Sequence, residues 1–450
     1  MKFYSSFLTI LSALVLCISC SEHDVIEENT EPEIVYDATF SLSVNHTEKA
    51  KTKSKEVGKV ESNNYMFIKS LSLAVFQGGK LVAFSEEEDG ENGVYRIEEV
   101  AVPSGNVKVV LLANVKVGEQ YKKLNNTKLS DYEEMTVSLD DEINGSLSMS
   151  SGFLDYSFNP GYNFVGYGSK GEEVTVDHSG VSVSGVELSG EKIKMVRNVS
   201  RVELAVVYLK PNSEYLGEGN VTFTIKDFFV ANVKSKSKLI FDKGASVECE
   251  TSDLWCGNFP TGTGSLEPNT KKNFLFYDVT NPPLNHTLMN ELYPFVNNDI
   301  IVCSGNIFGL DENNKNVVSQ TINYDPKADS KEPPHIGYSA GFPLGTYFHI
   351  YENKDLGTNR TLFVVKGDYT YNPVKGQMKV WKDRYYTVVV NKDNKKSDHE
   401  YIKHNYLYDI SLTIAGPGSE NPFDPESTAD ISVAIDVKDW DVVDQNESLD

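Results

Sequence analysis

Thr39-Phe40-Ser41-Leu42-Ser43-Val44 is the first stretch of the chain in which apolar and polar side chains alternate strictly. A period of two places successive side chains on opposite faces of an extended chain, so it predicts a β-strand with one apolar face. The same alternation returns in residues 71–75, 202–206 and 408–414. Convincing helical periodicity is scarce, so the sequence predicts a mainly β protein.

Other stretches refine this prediction. Residues 107–113 are apolar except for Lys108, which predicts a strand buried on both faces. Residues 130–133, Ser-Asp-Tyr-Glu, resemble a capping box that opens one or two helical turns, and residues 288–292 predict another short helix. Short strands separated by Gly, Asn and Ser turns are typical of β-sandwiches. For 450 residues we expect two β-sandwich domains in tandem with few short helices.

The first 20 residues indicate export. Lys2 precedes an apolar stretch, residues 7–18, which is too short to span a bilayer but fits a signal-peptide core. It ends in Leu16-Cys17-Ile18-Ser19-Cys20, which resembles a bacterial lipobox with Cys20 as the acylated residue. Cys17 stands where that pattern usually has leucine, and an ordinary cleaved signal peptide is the alternative. We expect residues 1–19 to be a lipoprotein signal peptide and Cys20 to be lipidated.

Changes of composition suggest the domain organisation. Residues 20–36 are acidic and lack a strand pattern, which predicts a flexible tether between lipid and fold. Residues 161–190 are rich in Gly and Ser, and we interpret them as a soft region that separates the two halves. The domain boundary is placed near residue 190. This gives an N-terminal β-sandwich over residues 37–190 and a C-terminal one over residues 191–450.

Charge and residue types exclude several classes of function. The formal net charge of −23 repels nucleic acid, so no nucleic-acid partner is expected. Three cysteines remain after Cys20, and an odd number argues against a disulfide framework. The eight histidines are scattered, and neither a nucleophile elbow nor a phosphate-binding glycine loop occurs. We expect no metal, no cofactor, no catalytic residue and no enzymatic activity.

A run of lysines lies between the first two predicted strands. Lys51, Lys53 and Lys55 alternate with small or polar residues inside the range 49–59. A solvated basic loop is the simplest interpretation of this run. Extended polar chain is also the preferred substrate for proteolytic nicking, so the run is a candidate processing site.

The end of the chain carries one further alternating stretch. Its apolar positions are Ile431, Val433, Ile435 and Val437, followed by Trp440 and Val442. A terminal strand with one apolar face can complete a sheet of another molecule, because backbone hydrogen bonds bind it and alternate side chains set its register. The alternative is that this strand closes its own domain.

Four blocks of sequence follow one another in a fixed order over residues 37–445. They comprise Leu71-Ser72-Leu73-Ala74-Val75-Phe76-Gln77-Gly78-Gly79 with Val109-Val110-Leu111-Leu112-Ala113-Asn114; Met195-Val196-Arg197-Asn198-Val199-Ser200-Arg201-Val202-Glu203-Leu204; Tyr347-Phe348-His349-Ile350-Tyr351-Glu352-Asn353 with Thr361-Leu362-Phe363-Val364-Val365-Lys366-Gly367; and Arg384-Tyr385-Tyr386 through His404-Asn405-Tyr406-Leu407-Tyr408-Asp409-Ile410 and Gly416-Pro417-Gly418-Ser419 to Asp439-Trp440. Together they resemble the fimbrillin family, the shaft subunits of type V pili of Bacteroides-type bacteria.

The resemblance implies a lipoprotein precursor that is carried to the outer membrane. It also implies a trypsin-like protease that removes the N-terminal stretch with its first strand, and a C-terminal strand from a neighbouring subunit that fills the groove. Lys51, Lys53 and Lys55 are then the expected cleavage sites. The expected donor-strand residues are Ile431, Val433, Ile435, Val437, Trp440 and Val442.

The chain departs from the family at the processing step, which typically uses arginine. No arginine precedes Arg96, so either a lysine is cut or the subunit keeps its first strand and lipid as an anchor. We predict a structural pilin of a surface fimbrium that supports adhesion. Its expected partners are other pilin, anchor and tip subunits, the processing protease, the outer membrane through the lipid, and a host or bacterial surface ligand. The alternatives are a glycan-binding outer-membrane lipoprotein and an anchor or tip adhesin subunit.

Overall fold

The structure is a computed structural model. It describes residues 34–44, 68–88, 93–139, 142, 147–178, 180–215, 219–241, 254–256, 259–260, 320–328, 332–337, 347–357, 359–395, 397–421 and 431–439. The predicted lipidation site Cys20, the lysines Lys51, Lys53 and Lys55, the predicted helix at 288–292, and the residues Trp440 and Val442 all lie outside these ranges.

Most of the described chain forms β-strands, as the alternation predicts. In chain order these strands are β1 (Ala38–Ser43), β2 (Ser70–Gln77), β3 (Lys80–Glu88), β4 (Arg96–Val102), β5 (Gly105–Ala113), β6 (Thr136–Ser138), β7 (Met149–Phe158), β8 (Gly161–Val165), β9 (Glu173–His178), β10 (Val181–Glu187), β11 (Val196–Arg197), β12 (Val199–Leu209), β13 (Asn220–Lys234), β14 (Lys236–Lys238), β15 (Leu254–Cys256), β16 (Phe259–Pro260), β17 (Gln320–Tyr324), β18 (His335–Gly337), β19 (Tyr347–Tyr351), β20 (Leu362–Asn372), β21 (Lys379–Val389), β22 (Tyr406–Ile414) and β23 (Ile431–Asp439).

Two sheets come from the first half of the chain. One has the strand order β4-β1-β8-β10-β9 and the other has the order β11-β7-β5-β2-β3. Ring contacts join them: Phe40 on β1 lies 4.7 Å from Phe158 on β7, measured between ring centroids. Strand β5 is central in the second sheet, and residues Val109 to Ala113 are all buried, as its continuous apolar run predicts. The first half therefore packs as two apposed sheets.

Two further sheets come from the second half. One has the order β18-β12-β22-β23, with β19 also paired to β12, and the other has the order β16-β15-β13-β20-β21, with β17 paired to β13. Sheet membership changes abruptly along the chain, because β11 ends at Arg197 in the first half and β12 begins at Val199 in the second.

The range 161–190 differs from its interpretation as a soft separating region. It contains β8, β9 and β10, three neighbouring strands of the first sheet. Its glycines allow close packing of the strands: a Cβ at Gly185 would collide with the carbonyl oxygen of Tyr162 on the adjacent strand. The glycine content therefore reflects turns and close strand packing. The interpretation of residues 161–190 as a soft separating region was wrong.

One short helix, α1 (Leu129–Glu133), confirms the predicted helical turns, but its cap differs. The sequence pattern placed the capping residue at Ser130, whereas Lys128 occupies the N-cap position. The backbone N–H of Lys128 donates to the Asp131 carboxylate at 2.8 Å. The acidic residue three positions into the helix thus performs the reciprocal half of a capping box. Among the described residues, no helix is long and apolar enough to cross a membrane.

The two halves of the chain share a core. One cluster of buried side chains runs from Phe76 on β2 through Tyr132 and Met135 to Val202 on β12 and Ile410 on β22. A two-stranded ribbon of β6 and β14 also joins the halves, in antiparallel register from Thr136↔Lys238 to Ser138↔Lys236. Backbone pairing and apolar packing therefore both cross between the halves.

Candidate assembly site

Strand β1 is a central strand, paired along both edges. It runs antiparallel to β4, from Ala38↔Val102 to Ser43↔Arg96, and parallel to β8, from Ala38↔Gly161 to Leu42↔Val165. The alternation in the sequence fixes its faces, and Phe40, Leu42 and Val44 are fully buried. A strand in this position completes two ladders and fills the core beneath them.

The predicted donor strand corresponds to β23, which lies at a sheet edge in its own chain. It pairs antiparallel with β22 over nine residues, from Ile431↔Ile414 to Asp439↔Tyr406. Pairing of the terminal strand within its own sheet was the alternative that the sequence left open. Within this chain β23 therefore closes its own sheet.

The predicted donor residues differ widely in burial. Ile435 is 8% exposed, whereas Val433 is 44% exposed, and Ile431 and Val437 are partly buried against the core. The other edge of β23 has a side-chain contact: the Asn394 amide donates to the Ile435 carbonyl oxygen at 3.2 Å. β23 is thus held mainly through one ladder and one well-buried side chain.

The loop before β22 is fixed by a chain of polar contacts. His399 places its ring between the Asp398 carboxylate, at 2.6 Å from Nδ1, and the Tyr408 hydroxyl, at 2.8 Å from Nε2. Burial raises the pKa of Tyr408, whose hydroxyl accepts the backbone N–H of Lys403 at 2.8 Å. Tyr408 is fully buried, and these contacts tie the loop to β22.

A second buried histidine contact lies near the join between the halves. The Glu352 carboxylate, in a residue 2% exposed, lies 2.6 Å from His404 Nδ1 and 3.0 Å from Lys354 Nζ. Burial alone would raise the pKa of Glu352, but the bond from His404 and the charge of Lys354 outweigh it and hold the pKa below its usual value. Among the described residues, no group of three or more His, Cys, Asp or Glu is placed to hold a metal ion.

Two carboxylates that the sequence did not single out organise the surrounding loops. Glu187, at the end of β10, is fully buried. Its oxygens accept five backbone N–H groups, from Gly166, Tyr167, Gly168, Ser189 and Gly190, at 2.9–3.2 Å. A carboxylate that follows a strand and sits between two glycine-rich turns is the only sequence signal for this role.

Glu142 joins the two halves. It accepts a hydrogen bond from the Tyr351 hydroxyl on β19 at 3.0 Å and one from the Ser148 backbone N–H at 2.7 Å, and it also bonds the Ser148 hydroxyl. Glu142 and Tyr351 lie 209 positions apart in the sequence, so no local pattern could have revealed this pair.

Comparisons with known proteins agree with this architecture. A family model described as "Major fimbrial subunit protein (FimA)" matches residues 38–194, from the first residue of β1 to just before β11. The chain is 22% identical to the major fimbrium subunit FimA type-2 of Porphyromonas gingivalis, over 99% of both chains. It is 24% identical to the FimA type-4 subunit of Porphyromonas gingivalis strain ATCC BAA-308 / W83, again over 99% of both chains.

A solved structure shows the same fold. The crystal structure of a fimbrilin from Porphyromonas gingivalis W83 superposes with a TM-score of 0.52 at 18% identity, covering 92% of this chain and all of that one. The family match begins at β1, and the relatives align from end to end. The chain is therefore similar to FimA-type fimbrial subunits from end to end, and residues 38–194 match the model of that family.

Proposed function

We propose that this protein is a structural, non-enzymatic subunit of a surface fimbrium and that it joins its neighbours by strand exchange. The observation that carries the proposal is the likeness of β1 and β23. Both strands alternate apolar residues with others, which are Thr and Ser in β1 and Ser, Ala, Asp and Lys in β23, and β1 occupies a central position that a strand of this pattern could fill.

The proposed precursor is a lipoprotein. Cys20 is acylated and holds the chain at the outer membrane, since several acyl chains anchor a protein stably. A protease then cuts after Lys51, Lys53 or Lys55 and removes the N-terminal stretch with β1. The relevant lysines lie between the end of β1 and the start of β2, where cleavage severs β1 from the rest of the fold.

Loss of β1 would leave a groove with exposed apolar sites and unpaired backbone groups, which is energetically unfavourable. Phe40, Leu42 and Val44 each fill a fully buried site, and each such site contributes roughly 1.5–3 kcal/mol when occupied. The facing edges of β4 and β8 would also lose their backbone partners. The groove therefore favours capture of another strand that supplies apolar side chains at alternate positions.

The proposed donor is β23 with the residues that follow it, from a neighbouring subunit. Ile431, Val433, Ile435 and Val437 would face the core of the acceptor, and Trp440 and Val442 would extend the contact. Detachment of β23 gives up one edge ladder and the burial of Ile435, whereas insertion in the β1 position gains two ladders. The gain in backbone pairing favours insertion of β23 into a neighbouring subunit over its pairing within the same chain.

The test is deletion of residues 431–450 from the full chain. Surface oligomers that resist mild denaturation should disappear while the far-ultraviolet circular dichroism of the subunit stays near native. Fibres of normal length from the truncated chain would contradict the proposal. Substitution of Ile435 by Asp is a poorer test, because Ile435 is buried in its own sheet and the change would destabilise the subunit as well.

The lipid anchor and the processing step have separate tests. Cys20→Ala should abolish uptake of labelled palmitate and leave the precursor inside the cell envelope, and unchanged surface display would exclude the anchor. N-terminal sequencing of the surface form should find a new terminus after Lys51, Lys53 or Lys55. A surface form that still begins at acylated Cys20 would instead indicate a retained anchor subunit, which the absence of arginine before Arg96 favours as the second candidate.

The glycan-binding alternative gains no support from the described surface. Stacking on a sugar needs exposed aromatic rings, and among the large apolar side chains exposed in the described ranges Tyr36 is the only aromatic one.

A further inference from the structure

The outward side of β1 is covered as closely as its inward side. Thr39, Ser41 and Ser43 alternate with the apolar residues, so they face away from the second sheet. Ser41 is nevertheless fully buried, and Ser43 is only 7% exposed. This outward row therefore lies beneath other parts of the protein.

Three side chains cross over β1 on this side. One carboxylate oxygen of Glu98, on β4, accepts a hydrogen bond from the Tyr167 hydroxyl at 3.1 Å, and the other lies 3.3 Å from His178 Nδ1. Tyr167 follows β8 and His178 ends β9, whereas β1 lies between β4 and β8. The contacts therefore span β1 from one flank to the other. We call Glu98, Tyr167 and His178 the outer strap.

The strap packs on the strand partner of Ser41. Phe164 on β8 is the register partner of Ser41, so the two share the outer face. The ring of Phe164 stacks on His178, with centroids 6.2 Å apart, and meets Tyr167 edge-on at 5.4 Å. On the other flank a bulge in β4 lets the backbone N–H of Glu99 donate to the Ser41 hydroxyl at 2.9 Å. Ser41 is thus enclosed on both flanks and from above.

Burial and hydrogen bonding hold the outer strap in place. Burial and the neighbouring Glu98 carboxylate raise the pKa of Tyr167, which keeps its hydroxyl protonated and able to donate. The side chain of His178 is 3% exposed, and that of Glu98 is 36% exposed. A leucine in place of Ser41 would have to displace these groups, since closely packed sites resist added carbon atoms.

We propose that the outer strap selects the strand that occupies the β1 position, by admitting only small side chains at the positions of Ser41 and Ser43. The occupant is the terminal strand of a second copy of this chain, in which the outward residues Ser432 and Ala434 repeat these small residues and Asp436 follows in the same row. The alternation is the same for either direction of insertion. This inference rests on the proposed strand exchange and adds a second specificity element to the apolar row.

Ser432 and Ala434 allow a clean test, because both are exposed in the subunit itself. Leucine at either position should leave the melting temperature of the isolated subunit unchanged. We expect Ser432→Leu or Ala434→Leu, made separately in the full chain, to reduce denaturation-resistant surface oligomers about tenfold, the effect of overpacking one buried site. The matched control is Ser432→Ala, which changes the same outward position but keeps its side chain small and should preserve the oligomers.

Rescue identifies the strap as the cause. Glu98→Ala, combined with the leucine variant that blocks assembly, should restore the oligomers, and Tyr167→Phe, which removes only the strap hydroxyl, is the second strap variant. Full assembly of both leucine variants would overturn the inference, and so would a block that neither strap variant relieves. If the chain lacking residues 431–450 still forms fibres, the strand exchange itself fails. If that deletion blocks assembly and the leucine variants do not, only the strap inference fails.

A folding measurement tests the strap without assembly. Ser41→Leu in the full chain should lower the urea midpoint, and the loss should shrink when Glu98→Ala is added, whereas additive effects would overturn the inference.

Discussion

Glu187→Gln tests how much the buried carboxylate of Glu187 contributes to the stability of the fold. The substitution keeps the shape of the side chain but replaces one carboxylate oxygen with an NH₂ group. Oε1 accepts three backbone N–H groups and Oε2 accepts two, so the amide leaves at least two of the five donors facing another donor. Since Glu187 is fully buried, water does not replace the lost acceptor.

The expected cost follows from the number of donors left unpaired. Each buried polar group without a partner costs about 1–3 kcal/mol, so two of them predict a loss of about 2–6 kcal/mol in the free energy of unfolding. Urea unfolding of the full chain measures it, with the matched control Glu172→Gln at an exposed carboxylate on the same turn. The control should change stability by less than about 0.5 kcal/mol. A Glu187→Gln effect no larger than the control would refute the reasoning.

Three further results are expected. Burial, with the guanidinium groups of Arg201 and Arg197, lowers the pKa of His349 to about 3. As the pH falls, the unfolded chain therefore binds a proton at His349 before the folded chain does. The free energy of unfolding should fall by up to about 1.4 kcal/mol per pH unit between pH 6.5 and pH 3. Urea midpoints measured across this range check the result, and those of His349→Phe should depend less on pH. Tyr351→Phe should cost about 1.5–3 kcal/mol by removing a bond to the Glu142 carboxylate, measured by urea unfolding, and an unchanged midpoint would contradict it. Gly185→Ala should cost about 1–3 kcal/mol, because its Cβ would collide with the Tyr162 carbonyl oxygen, and a thermal melt that matches wild type would show that β8 and β10 can separate freely.

Local pattern predicted the strands well. The alternating stretches at 39–44, 71–75, 408–414 and 431–437 correspond to β1, β2, β22 and β23. In β22 the apolar residues are buried and the residues between them are half-buried, whereas β1 and β2 are covered on both faces. The stretch at 202–206 lies in β12, but its alternation does not match the burial of its two faces. A bulge between Leu204 and Val206 shifts the register against β22, and both faces of the strand are buried. Alternation alone cannot reveal a bulge in a doubly covered strand.

The order of the strands was beyond reach of the sequence. The central position of β1 depends on its pairing with β8, more than 120 residues away, and a parallel pair leaves no turn signature between its members. The outer strap was hidden for the same reason, since Glu98, Tyr167 and His178 meet only once the sheet has formed. Small residues at Ser41 and Ser43 were visible as polar positions in an alternating strand, but nothing local indicated that they would be buried.

The shared core and the ribbon of β6 with β14 have a mechanical consequence. A fibre under tension transmits its load through each subunit in turn. A subunit made of independently folded domains would unfold one domain at a time. Here the buried cluster and the Glu142–Tyr351 bond couple the two halves, so neither half can be pulled open without disturbing the other. The two halves of the subunit should therefore unfold together, in a single step, when force is applied.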